Sequence, residues 1–223
     1  MKLHYEFKEF WEGWMKKVSA IELKGLADYY DKFITLFVIY NRLYANATFW
    51  LWDSQRAPFP GKSNSFPDTK AACVYVGQFL GEAEMMETLR QNPETHNAIN
   101  SLLNVLRRGD RYFKLKMPRA EPDPKEDEKL LKKLESDNPV EQAQGVLEII
   151  HCVRCNTFHG SKNFSYVQIE ILGPIITLLE ALNSLLRRKL EEVPEPDEAA
   201  QAARLLVASR NAPPQRRHEP SEV

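Results

Sequence analysis

The chain of 223 residues is long enough for one well-packed domain with an appendage. Its 43% hydrophobic and 27% charged residues exclude a wholly disordered or wholly membrane-embedded chain, and 9 glycines beside 14 prolines argue against a turn-dense β fold. Basic and acidic residues number 30 and 31, a net charge of -1, so no whole-molecule field advertises a polyanion and any such site must be local.

A short helix is expected around residues 7–18, carrying Phe10, Trp11 and Trp14. From Ile21 to Tyr44 apolar residues recur in steps of three and four, which predicts a long amphipathic helix. The first 52 positions hold 14 of the 23 aromatic residues; at helical spacing they either fill the core or offer a contact surface, and packing is the commoner use. Pro58, Pro60, Gly61 and Pro67 mark a loop. Within it Phe59-Pro60-Gly61-Lys62-Ser63 ends like a phosphate-binding loop, but Arg56 stands where that motif needs glycine, so it reads as polar surface. Asp68 begins a helix to about Gln91. Asn92-Pro93 starts another, a side-chain cap followed by proline at the first helical position, and Gly109 stops it. Residues 110–127 read as a charged connection, and 128–134 as a short helix or turn.

Asn138-Pro139 repeats the start signal, with Glu141 in capping-box position, for a helix that ends near His159-Gly160. The last strong helix covers about 166–190, with a bend expected at Gly173-Pro174. Residues 1–192 form the expected helical domain. Residues 193–223, rich in proline and alanine, read as a mostly disordered tail with one weak Ala-rich helix at 198–210. Three cysteines, Cys73, Cys152 and Cys155, do not form a disulfide framework. With a charged start at residues 2–9 and apolar runs at 33–40 and 171–179 that fall short of a bilayer span, the expectation is a cytoplasmic chain with no membrane contact.

Two constellations bear on function. His151, Cys152, Cys155 and His159 lie within nine residues, and Cys152, Cys155 and His159, at helical spacing, could be three zinc ligands, but a structural site needs a fourth and buried cysteines are ordinary small hydrophobes, so no metal is expected. The second is Val153-Arg154-Cys155-Asn156-Thr157-Phe158-His159-Gly160. It places a fixed cation, an amide and a base of near-neutral pKa at one helix end. Arginine's planar fork can hold a phosphodiester and the charge that develops on it, and histidine can take a proton from a 2′-hydroxyl or give one to a leaving oxygen. The bland alternative is an arginine in a salt bridge and a histidine favoured by the helix dipole.

This run, continued by Ser161-Lys162, resembles the motif of the HEPN superfamily, an arginine followed four to six residues later by a histidine in an all-α bundle. The resemblance implies a HEPN-type antiparallel helical bundle and a metal-independent, cofactor-free endoribonuclease that acts as a homodimer. In that comparison Arg154 would bind the scissile phosphate, His159 would be the acid and base, and Asn156 a supporting polar group. In many members the polar residue follows the arginine directly; here that place is Cys155. A toxin or defence role, with an antitoxin or regulatory protein as partner, is implied by the resemblance alone. Arg107, Arg108, Arg111 and Lys114, with Tyr112 and Phe113 between them, form the densest basic stretch and are candidate RNA contacts together with Lys162; a solvated helix end is the plain alternative. A non-catalytic HEPN-like module that binds RNA or a nucleotide, and a protein-interaction bundle, stay open beside the ribonuclease.

Overall fold

The computed structural model describes residues 5–58, 66–116, 119, 121–158 and 165–193. The chain is all-α, as its composition predicts, apart from one small strand pair. Helix α1 (Tyr5–Ala20) matches the first expected helix with one more turn. The next does not begin at Ile21. Residues 21–24 are non-helical, and α2 (Leu26–Asp53) starts after Gly25, where the Asp28 carboxylate accepts the Gly25 and Lys24 amides at 2.7 and 3.0 Å. A first-turn carboxylate that satisfies free amides favours this later start over simple continuation of the apolar period.

The single helix expected from Asp68 to Gln91 is broken twice. Helix α3 (Asp68–Lys70) leads into a π-helical turn (Ala71–Tyr75), then α4 (Val76–Leu80), and Gly81 at φ 84° separates α5 (Glu82–Gln91). In the π turn the Val76 amide reaches the Ala71 carbonyl, and the Ala72 carbonyl accepts the Tyr40 hydroxyl at 2.9 Å. Both expected start signals hold. Asn92 caps α6 (Pro93–Arg108) by accepting the Glu94 amide at 2.8 Å, and Gly109, at φ 64°, ends it. Asn138 accepts the Val140 amide at 3.0 Å at the start of α8 (Pro139–Phe158).

Between them the short helix expected at 128–134 is longer, α7 (Pro124–Glu135), because Pro124 and the first-turn acids Glu126 and Asp127 extend it forwards. Ahead of it β1 (Leu115–Lys116) pairs antiparallel with β2 (Glu121–Pro122). A 3-10 turn (Tyr166–Gln168) opens α9 (Ile169–Glu192), which continues through Pro174. Within the 27-residue stretch Tyr166–Glu192 an 18-residue window has a mean hydropathy of 1.6, enough by length and composition to cross a bilayer, and half of that window is buried inside the bundle, as in the core helix of a bundle. The tail beyond residue 193 lies outside the described residues.

Helix α9 packs along α2 and α6 at the centre. Tyr29 lies against Gly173, Lys32 pairs with Glu180 at 2.8 Å, and the Leu36 carbonyl accepts the Asn183 amide at 3.1 Å, so α2 and α9 run in the same direction. Most other neighbours are antiparallel. Asp68, Thr69, Cys73 and Arg90 meet Arg154, His151, Leu147 and Gln142 in that order along α8. Phe33, Phe37, Tyr40, Tyr44, Trp50 and Trp52 are all buried, so the aromatic N-terminal region fills the core rather than offering a surface. Phe49, half exposed, is the exception on α2.

Candidate functional site

The last two turns of α8 carry the motif, and α2 and α3 close over them. Asp68, at the first position of α3, takes the Tyr44 hydroxyl on one carboxylate oxygen and faces Arg154 with the other, Oδ2 to Nη1, at 3.7 Å. Burial and the hydrogen bond to Asp68 raise the Tyr44 pKa far beyond the ordinary phenol, so Tyr44 stays a donor. The Arg154 guanidinium carbon lies 5.7 Å from the Phe37 ring centre and 5.3 Å from that of Phe158, which positions the cation by its two aromatic neighbours. Its Nε is buried without an acceptor among the described residues, and its side chain is 29% exposed. Among the described residues the cation is thus positioned by rings, held by one long ion pair, and set 3.9 Å from Cys155 Sγ.

One turn earlier, His151 is 8% exposed. Its Nε2 lies 3.2 Å from the Thr69 hydroxyl and 3.5 Å from Cys155 Sγ, while Nδ1 is buried without a partner among the described residues. Burial lowers the His151 pKa, with Arg154 and Lys114 adding to the fall and Asp68 and Glu148 opposing it. Burial also pushes the Cys73 thiol up to about 12 and the Cys152 thiol up to about 11. Lys114 lies beside Cys152 and 3.6 Å from Glu148; burial opposes its charge, but these neighbours outweigh that and its pKa is raised.

Sequence reasoning makes Asn156 a supporting polar group between Arg154 and His159. The Asn156 amide donates to the Phe113 carbonyl at 2.8 Å, tying α8 to the loop before β1. Two helical positions from Arg154 it points to a different side. His159 and Lys162 lie outside the described residues, as does the Phe59–Ser63 loop.

The basic stretch is not a row of open cations. Arg107 pairs with Glu135 at 2.8 Å, Arg108 with Glu170 at 2.7 Å, Arg111 with Asp110 at 3.4 Å and Lys114 with Glu148. Phe113 is 1% exposed and cannot stack on a base. The stretch folds back on the bundle because Asp127 of α7 accepts the Phe113 amide at 3.0 Å and the Lys114 amide at 2.9 Å. No group of three possible metal ligands occurs among the described residues. A cavity of about 160 Å³ between α5, α6, α7 and α8, lined by Met86, His96, Ile99 and Leu103, contains none of the motif residues and is too small for a nucleotide.

Sequence reasoning grouped His151 with Cys155, as a possible metal cluster, and missed Asp68, Tyr44, Phe37 and Thr69 as the surroundings of Arg154 and Cys155. Only Asp68 carried a signal, as a helix start after Pro67. Comparison with protein-family models, curated proteins and solved structures finds no match.

Proposed function

We propose that the chain is a HEPN-like, metal-independent endoribonuclease that acts in the cytoplasm as a homodimer and cleaves RNA by attack of a 2′-hydroxyl on the adjacent phosphodiester. The observation that carries this reading is the Arg154 guanidinium. It is positioned by Phe37 and Phe158 at the end of α8, engaged by one carboxylate at 3.7 Å, and followed five residues on by His159. A cation ordered in advance yet loosely paired is suited to an incoming phosphate, because little reorganisation is needed when charge builds up on the phosphorus oxygens.

In this reading Arg154 holds the scissile phosphate. His159 removes the 2′-hydroxyl proton or protonates the departing 5′-oxygen, leaving a 2′,3′-cyclic phosphate and a 5′-hydroxyl. One arginine and one histidine are few groups for phosphoryl transfer, and a second copy doubles them. A toxin or defence role, with an antitoxin or regulator as partner, belongs to the same proposal.

Incubation of the purified chain with end-labelled RNA in EDTA should give cyclic-phosphate ends. Arg154→Ala and His159→Ala should each slow cleavage by about 100-fold or more with unchanged thermal unfolding. Absence of cleavage at protein excess sinks the enzyme reading. A second reading, an RNA- or nucleotide-binding module without catalysis, is favoured by the Arg154–Asp68 pair and by the commitment of Asn156 to Phe113. Its mark would be RNA binding that is lost in Arg154→Ala without any cut product.

A further inference from the structure

We propose that Cys155 is a reactive thiol, set up by the His151 imidazole one turn earlier and the adjoining Arg154 guanidinium, which hydroperoxides convert to a sulfenic acid. This does not depend on RNA cleavage. Three observations converge on it. Cys155 Sγ is 3.5 Å from His151 Nε2 and 3.9 Å from Arg154 Nη1, so one sulfur faces both a ring nitrogen and a fixed positive charge. The other two cysteines lack this pairing: Cys73 is buried against the Leu147 carbonyl, and Cys152, half-buried like Cys155, has Lys114 beside it, with burial pushing its thiol up to about 11. Cys155 itself is only partly buried, so a small oxidant can reach it.

The ring tautomer follows from the hydrogen-bond inventory. Nδ1 of His151 is buried and has no partner among the described residues, and a buried N–H without an acceptor is costlier and rarer than an unused lone pair. The proton therefore belongs on Nε2, whose N–H is shared between the Thr69 hydroxyl at 3.2 Å and Cys155 Sγ at 3.5 Å. A ring nitrogen and a cation thus converge on one partly exposed sulfur, the electropositive setting in which reactive cysteines sit. The charged and titratable groups around the imidazole are Asp68 from α3, Lys114 from the loop before β1, and Glu148 and Arg154 from α8 itself.

The reaction balances with peroxide as the only co-reactant. The thiol proton leaves to water. The thiolate sulfur attacks one peroxide oxygen, the S–O bond forms as the O–O bond breaks, and the departing hydroxide takes up a proton to become water. Sulfur is oxidised by two electrons and the peroxide is reduced by two. The added oxygen then competes with Asp68 for the Arg154 guanidinium.

The test treats the folded chain with limiting hydrogen peroxide and dimedone and locates the adduct by peptide mass mapping. In parallel, iodoacetamide rates are measured site by site in the folded and the urea-unfolded chain. Dimedone on Cys155 should exceed that on Cys73 and Cys152 by about tenfold, and Cys155 should alkylate faster folded than unfolded despite its partial burial. His151→Gln should lower the Cys155 rate several-fold. Equal labelling of the three cysteines, or slower alkylation of Cys155 in the folded chain, overturns the proposal. If His151→Gln does not fold, the folded-to-unfolded ratio of the natural chain decides alone.

Discussion

Asn156 donates to the Phe113 carbonyl from α8 while Asp127 accepts the Phe113 amide from α7, so one loop is clamped from two helices. A neutral hydrogen bond of this kind contributes about 1 kcal/mol net. Asn156→Ala should therefore lower the unfolding temperature by about 2–4 °C in calorimetry while leaving any RNA cleavage within about twofold. A loss of cleavage as deep as in Arg154→Ala would return Asn156 to the reacting centre. His151 makes a second prediction. Burial lowers its pKa below the unfolded value near 6.5, so the unfolded chain binds the proton more readily. Its contribution to stability is complete above about pH 6.5 and is lost progressively as pH falls toward the folded pKa. Urea midpoints measured from pH 7.5 to 5 should fall, and should fall less in His151→Gln. At this scale the sequence disclosed Arg154 because the run around it is uncommon. It could not disclose Asp68, Tyr44 or Phe37, which reach the same cation only through tertiary packing and carry no local pattern that marks them.

Helices α7 and α8 approach most closely at Gly145, where an added Cβ would lie 3.0 Å from Leu134 Cδ2 and 3.3 Å from the Leu134 backbone nitrogen. The side chain could give way, but the backbone could not without moving α7. Alanine gains about 1 kcal/mol over glycine in helix propensity, while overpacking costs about 1–3 kcal/mol. Gly145→Ala should thus be net destabilising by about 1 kcal/mol in denaturant titration; a stabilised variant would mean that the contact is looser than the distances say. Element starts were legible where a side-chain cap precedes proline, at Asn92-Pro93 and Asn138-Pro139, and so was the stop at Gly109, whereas the α7 start at Pro124 was not. The π turn at 71–75 and the break at Gly81 were not, because the apolar period continues across both. What decides them is the Tyr40 hydroxyl on the Ala72 carbonyl and the positive φ of Gly81.

The homodimer proposed above needs a complementary surface on each copy. Phe158, Tyr166 and Val167 flank the segment that bears His159 and are 55%, 76% and 42% exposed. Light scattering should give twice the chain mass, and Phe158→Glu with Tyr166→Lys should give the single-chain mass with loss of cleavage. A monomer at assay concentration in the natural chain contradicts the paired site. The all-α class could be read from glycine scarcity and helical periods, but the shared direction of α2 and α9 could not, since it rests on contacts between residues far apart in the chain. That arrangement has a consequence for biosynthesis. The oily side of α2 has its main cover in a segment the ribosome adds long after it, roughly 10 s later at ordinary elongation speeds. During that interval the nascent polypeptide carries Phe33, Leu36 and Tyr40 without their eventual neighbour, which is when a chaperone would be most useful to it.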